Sequence, residues 1–187
     1  MSMADFQVWL VRWFANAAPP IAAFMRSKWG WPFAESVHFL GLSMLVGCVG
    51  AFDLRLLGVG KRIPIAALHK LIPWGLLGFA INVSTGSMFL LTEPDQYIYN
   101  PSFQFKVTFI MIAGLNALAF YKTSWGRATA DNAIPDAPRA AKVAAVISLS
   151  MWISVIVCGR LLTFYRPGPC PKEGPGLIAD CTPRAKR

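Results

Sequence analysis

Four stretches of this chain, Ser36–Gly58, Ala67–Leu91, Phe105–Tyr121 and Val143–Phe164, are apolar over close to the length that a helix needs to cross a bilayer, about 20 residues. With the connections between them they take up residues 36–164 and leave no room for a separate soluble domain. Charged residues make up only 14% of the chain and hydrophobic ones 55%, whereas about a quarter of an average soluble protein is charged. The expected fold is an all-α membrane protein, a four-helix transmembrane bundle.

The segment before the first span, "MSMADFQVWLVRWFANAAPP", has neither the basic start nor the small-residue cleavage site of a signal peptide, so it is expected to be retained. Phe6, Trp9, Leu10, Trp13 and Phe14 recur at helical spacing on one face, the pattern of an amphipathic helix lying in the interface, ended at Pro19-Pro20. Ile21–Ser27 then leads to Trp29, Trp31 and Phe33, a headgroup-level anchor ahead of the first span. This divides the chain into an interfacial segment (1–28), a membrane domain (29–165) and a Pro/Gly-rich tail (166–187).

The net charge of +9 does not point to nucleic acid, because the basic residues are spread through loops and tails and form no recognition element. They bear on topology instead. The loop after the first span carries Arg55, Lys61, Arg62 and Lys70, and the loop after the third carries Lys122, Arg127, Arg139 and Lys142, while "TEPDQYIYNPSF" has no Lys or Arg. The positive-inside rule places the two basic loops in the cytoplasm. The termini hold eight basic residues of their own, so the cysteines decide. Cys170 and Cys181 in the tail suit a disulfide in an oxidising compartment. The expected location is a bacterial inner membrane with both termini periplasmic. Cys48 and Cys158 lie within spans and read as small packing residues.

Ionisable groups within spans are costly and mark function by default. The two histidines sit at opposite ends, His38 near the outer end of the first span and His69 near the inner end of the second. They should stand about 25 Å apart, too far to sandwich one haem iron. Each has a carboxylate in prospect: Glu35, three residues before His38, and Asp53, at the depth of His69 if the first two spans form a hairpin. A carboxylate accepting the far ring N–H orients a metal-ligating imidazole. The pattern suits two haem b or other metal sites, His38 and His69 each supplying one axial ligand. The second ligand would come from a homodimer mate, a partner chain, Met44 or Met88, or the position would stay open. Lys106 and Arg160 join Glu35 and His38 in an expected outer cluster fit for a haem propionate or a quinone. The alternative is that both histidines only hydrogen-bond neighbouring helices and water.

Small residues also follow helical spacing. Gly75, Gly78, Asn82, Thr85 and Gly86 mark a face of the second span, and Gly47 with Ala51 a small-xxx-small pair on the first, expected to be close packing. No hydrolase, P-loop or dinucleotide fingerprint is present; "GVG" at Gly58–Gly60 lacks the third glycine.

The stretches "SKWGWPFAESVHFLGLSMLVG", "DLRLLG", "LIPWGLLGFAINVSTG", "YNPSFQFKVTFIMIAGLNALAF" and "WISVIVCGRLLTFY" resemble an uncharacterised bacterial family of four-helix inner-membrane proteins, a domain of unknown function. The resemblance covers about residues 26–165. It implies a four-helix architecture and singles out Glu35, His38, Asp53, Arg55, Pro73, Trp74, Asn100, Pro101, Lys106, Asn116 and Arg160 as matching its motifs. The tail from Pro167 lies outside it, open to a private role such as docking a periplasmic partner.

The functional expectation is a membrane subunit of a redox complex that binds haem or quinone and passes electrons to a periplasmic oxidoreductase. More a partner than an enzyme by itself, it would use His38 as ligand, Glu35 as orienter and Arg160 as anion clamp. A non-redox anchoring subunit of a larger membrane complex is the alternative. Transport of a metal or small solute comes third, because no acid sits at mid-membrane to relay a proton.

Overall fold

The computed structural model describes residues 3–123 and 137–164; the cysteine-bearing tail and the disulfide expected in it lie outside the described residues. Every regular element among these is an α-helix: α1 (Met3–Ala17), α2 (Pro19–Met25), α3 (Gly30–Leu56), α4 (Ile65–His69), α5 (Ile72–Thr92), α6 (Pro94–Ile98), α7 (Pro101–Thr123) and α8 (Arg139–Leu161). Among the described residues four stretches are long and apolar enough to cross a bilayer, namely α3, α4 continued by α5, α7 and α8. The chain is a multi-pass membrane protein.

Local chemistry explains where the helices start and stop. Pro19 and Pro20, expected to end the first helix, open the next one, since the first turn of a helix has no use for the missing N–H. Helix α3 begins at Gly30, six residues ahead of the apolar run, so Trp31 and Phe33 belong to the helix and not to a flanking loop. Ser27 Oγ accepts the Gly30 amide at 3.1 Å, satisfying one of the unpaired first-turn donors. At the other end the Gly58 amide donates to Arg55 O and the Val59 amide to Leu54 O, with Gly58 at φ 102°. That paired closure needs a left-handed residue just past the helix, which is why "DLRLLG" ends in glycine. The second span is broken at Lys70 and Leu71 into α4 and α5, because Pro73 cannot donate to the His69 carbonyl one turn before it.

The membrane domain is two antiparallel hairpins. Helix α3 packs along α5 and α7 along α8, and the hairpins join mainly where α3 meets α8. The α3–α5 contact is made by glycine: a Cβ on Gly78 would come 2.6 Å from the Gly41 carbonyl oxygen, and one on Gly75 would come 3.1 Å from a Val49 methyl. Such backbone proximity is how helices associate where lipid removes the hydrophobic drive between them. Gly41, not Gly47, is the partner; Gly47 is exposed and a Cβ there would meet nothing within 4 Å. The expected Gly47–Ala51 pair therefore lies outside this contact.

Two apolar clusters close the ends. At the end bearing the basic loops, Phe52, Leu56 and Ile65 pack with Phe120, Ala137, Ala141 and Ala145. At the opposite, far end Met25, Ala34 and Phe89 pack with Ile21, Trp31, Met88 and Tyr97. Outward faces carry Leu40, Leu76, Phe105, Met111, Leu115 and Ile153, all exposed, as suits helices bathed in hydrocarbon. Helix α1 rests on α5 and α6 and leaves Phe6, Trp9 and Trp13 exposed.

Candidate functional site

The antiparallel register of α3 and α5 brings His38 opposite Thr85. Nδ1 of His38 lies 2.7 Å from Thr85 Oγ1, and that hydroxyl donates to Ile81 O, also at 2.7 Å. With its proton committed to the carbonyl of the preceding turn, the threonine oxygen accepts from Nδ1–H. The network thus assigns the tautomer, and Nε2 keeps its lone pair. Phe89 sets an edge against the ring at 5.8 Å, and Gly86 leaves the space that Cε1 approaches, 3.7 Å from where a Cβ would stand.

Lys106 enters from α7. Its half-buried side chain reaches across to α8, where Nζ comes 3.7 Å from the Cβ position of Gly159, and its charge is within electrostatic reach of His38. Of the expected outer cluster, His38 and Lys106 therefore lie within electrostatic reach of each other, with no hydrogen bond between them. Glu35 is exposed one turn earlier on α3, and the Nδ1 partner is Thr85 in its place. Arg160 is exposed, its guanidinium 5.9 Å from the Phe164 ring. Thr85 was visible in the sequence only as one of a stripe of small residues; its pairing with His38 needed the hairpin register.

The second polar cluster lies at the basic end. Asp53 is 15 residues beyond His38 on the same helix, about 22 Å along the axis. It is only 5% exposed. Ser148 on α8 donates a hydrogen bond to its carboxylate, and Oδ2 has no hydrogen-bond partner among the described residues. His69 and Asp53 do share this end, as the hairpin reading expects, but the bond made by His69 is to Tyr121: Nε2 and the phenol oxygen are 3.0 Å apart. The imidazole also packs on Phe52, at 5.8 Å between ring centres. Tyr121 stands within electrostatic reach of Asp53. Tyr121 carried no sequence signal beyond lying in a span, while Ser148 and Asn116 read as candidates for interhelical hydrogen bonding, which Ser148 makes to Asp53 and Asn116 to Ala144 O at 2.9 Å. Arg55 is 2% exposed and folds back on its own loop, bonding Ile63 O through Nε and Lys61 O through a terminal nitrogen.

Cys48 is half-buried and Cys158 buried, both as free thiols. Among the described residues no three His, Cys, Asp or Glu side chains gather as a metal-binding group. An iron at His38 would take its other ligands from a macrocycle, and its second axial ligand from Met44, Met88 or another chain, or leave that position open.

Residues 28–165 match the model of a family of unknown function, DUF6644. The chain belongs to this family. The match covers α3 to α8 and stops short of the tail, so both polar clusters of this DUF6644 chain, and the glycine contact between them, lie inside the family region. No curated protein and no solved structure matches it.

Proposed function

We propose that this protein is a membrane subunit of a redox complex, and that its far-end site takes haem b or a quinone and passes electrons to a periplasmic oxidoreductase. The observation that carries the reading is the His38–Thr85–Ile81 relay. An imidazole whose Nδ1–H is spoken for presents Nε2 as a fixed lone pair, the preparation a haem ligand or a quinol-hydroxyl acceptor requires. Lys106 supplies the positive charge for a propionate or a quinone oxygen. Glu35, one turn earlier on α3, and Arg160, next to Gly159 on α8, are the rim groups.

His69 is less well prepared. Its Nε2 is engaged by Tyr121, so a second cofactor ligated there, with Asp53 behind it, would have to displace that bond through the other ring nitrogen. The reading therefore rests on His38. In this arrangement the termini are periplasmic and α1 lies in the interface with Phe6, Trp9 and Trp13 toward the acyl boundary. A second reading, a non-redox anchoring subunit, draws on α7, whose apolar face is left largely uncovered by the chain's own helices.

Visible absorption of protein purified from its native membrane separates the two. A Soret band lost in His38→Ala is the expected result for haem. Retention of a quinone that is lost in the same variant is the quinone outcome. A colourless protein that retains neither overturns the redox reading in favour of the anchor. Thiol labelling of Cys170 and Cys181 from the periplasmic side of intact cells after reduction tests the orientation; labelling only after lysis inverts it.

A further inference from the structure

The basic-end cluster has a chemistry of its own, independent of the redox reading. Asp53 is 95% buried by its 5% exposure, in a helix read as spanning the bilayer. One of its oxygens has no hydrogen-bond donor among the described residues. An ionised carboxylate so placed meets a desolvation penalty that a single serine hydroxyl does not offset. The carboxyl group is therefore neutralised by something it binds.

The surroundings indicate what. Helix α5 carries no titratable residue between Ile72 and Thr92, so α5 contributes no charge. Helix α8 offers Ser148, a hydroxyl, with its nearest basic residue, Lys142, six positions earlier. On α3 itself, Arg55 directs its guanidinium to the Ile63 and Lys61 carbonyls. Among the described residues, what remains are Tyr121 of α7, within electrostatic reach, and His69 of α4, bonded to Tyr121. Both are less deeply placed than Asp53, with Tyr121 39% exposed. A buried acid behind a tyrosine and a histidine that lead to the surface is the layout of a proton-exchange site.

We infer that Asp53 is a proton-binding acid that exchanges with the aqueous phase at the basic end through His69 and Tyr121. A proton arriving at Nδ1 of His69 leaves Nε2–H donating to the Tyr121 oxygen. Once the phenol turns onto Oδ2 of Asp53, which it does not hydrogen-bond at rest, transfer along the His69 bond releases the tyrosine's own hydroxyl proton to that oxygen, turning carboxylate into carboxylic acid. No electrons move, and the return transfers run in reverse. The site is near one face and not at mid-membrane, so it is a port for proton uptake or release and not a complete path.

Infrared spectroscopy of the full chain in sodium-free liposomes tests this. Expected is a protonated-carboxyl C=O band at neutral pH that is lost in Asp53→Asn, and whose hydrogen–deuterium exchange is slowed several-fold in Tyr121→Phe. Should Asp53→Asn fail to fold, Ser148→Ala serves: it keeps the acid and should shift the same band by removing its hydrogen bond. Absence of a neutral-pH carboxyl band sensitive to these changes overturns the inference. So does a band that disappears on adding sodium at constant pH, which would make the cluster a metal-cation site, or exchange unaffected by Tyr121→Phe.

Discussion

Oγ1 of Thr85 bridges two helices, accepting from Nδ1 of His38 on α3 at 2.7 Å while donating to the Ile81 carbonyl within α5. This one hydroxyl sets the imidazole tautomer and contributes to the pairing of the first hairpin.

Thr85→Val keeps the shape and removes both bonds. The hairpin should lose about 1 kcal/mol, the usual scale of a side-chain hydrogen bond between membrane helices, whereas Thr85→Ser should lose little. Denaturant unfolding in detergent checks this. If haem is present, Thr85→Val should also raise its midpoint potential, because the ligand loses the acceptor that makes it more basic.

Gly78→Ala places a methyl 2.6 Å from the Gly41 carbonyl oxygen. The helices must separate, and overpacking of this kind costs about 1 to 3 kcal/mol. At Gly47 and Gly114 a Cβ meets nothing within 4 Å, so alanine there should be neutral or slightly stabilising through helix propensity. Unfolding midpoints of the three variants should rank in that order, with Gly78→Ala alone well below the parent.

Asn100 is fully buried at the turn into α7. Its Oδ1 accepts the Ser102 amide at 2.9 Å and its Nδ2 donates to Leu162 O at 3.4 Å. Asn100→Ala removes a helix cap, worth about 1 kcal/mol, and leaves buried groups unpaired. Asn100→Asp keeps the cap acceptor but sets a carboxylate in a fully buried site facing the Leu162 carbonyl, a burial cost that offsets the retained cap. Thermal unfolding should therefore place both variants well below the parent.

Arg55 holds the loop after α3 through the Lys61 and Ile63 carbonyls. A lysine lacks the planar fork that reaches both, so Arg55→Lys should loosen the loop and Arg55→Ala more so. Limited tryptic digestion after Lys61 and Arg62 is the readout, and cleavage in Arg55→Ala should be at least several-fold faster than in the parent.

The span count and the hairpin order were legible because both follow from apolar length and from the loops between. The split at Lys70 was not read, although Pro73 was in view, since an apolar run conceals a missing hydrogen bond. Site placement was legible by end but not by partner: His38 and Lys106 come together as their depths imply, while the neighbours of His38 and His69 turn out to be Thr85 and Tyr121. Carboxylate spacing along one helix suggests Glu35 for His38, but a side chain at the third position before it has to compete with one supplied across a glycine-tight interface. That competition is settled by rotation of α5 about its axis, which residue types alone do not specify.

The two-hairpin plan also bears on how the protein is made. The tight contacts of α3 are with α5, the span that follows it, and those of α7 are with α8. As the ribosome feeds the chain to the insertion machinery, each pair can close as soon as its second member enters the lipid. The glycine seam and the His38–Thr85 bond can thus form before α7 enters the lipid, and Lys106 can then meet a histidine already oriented.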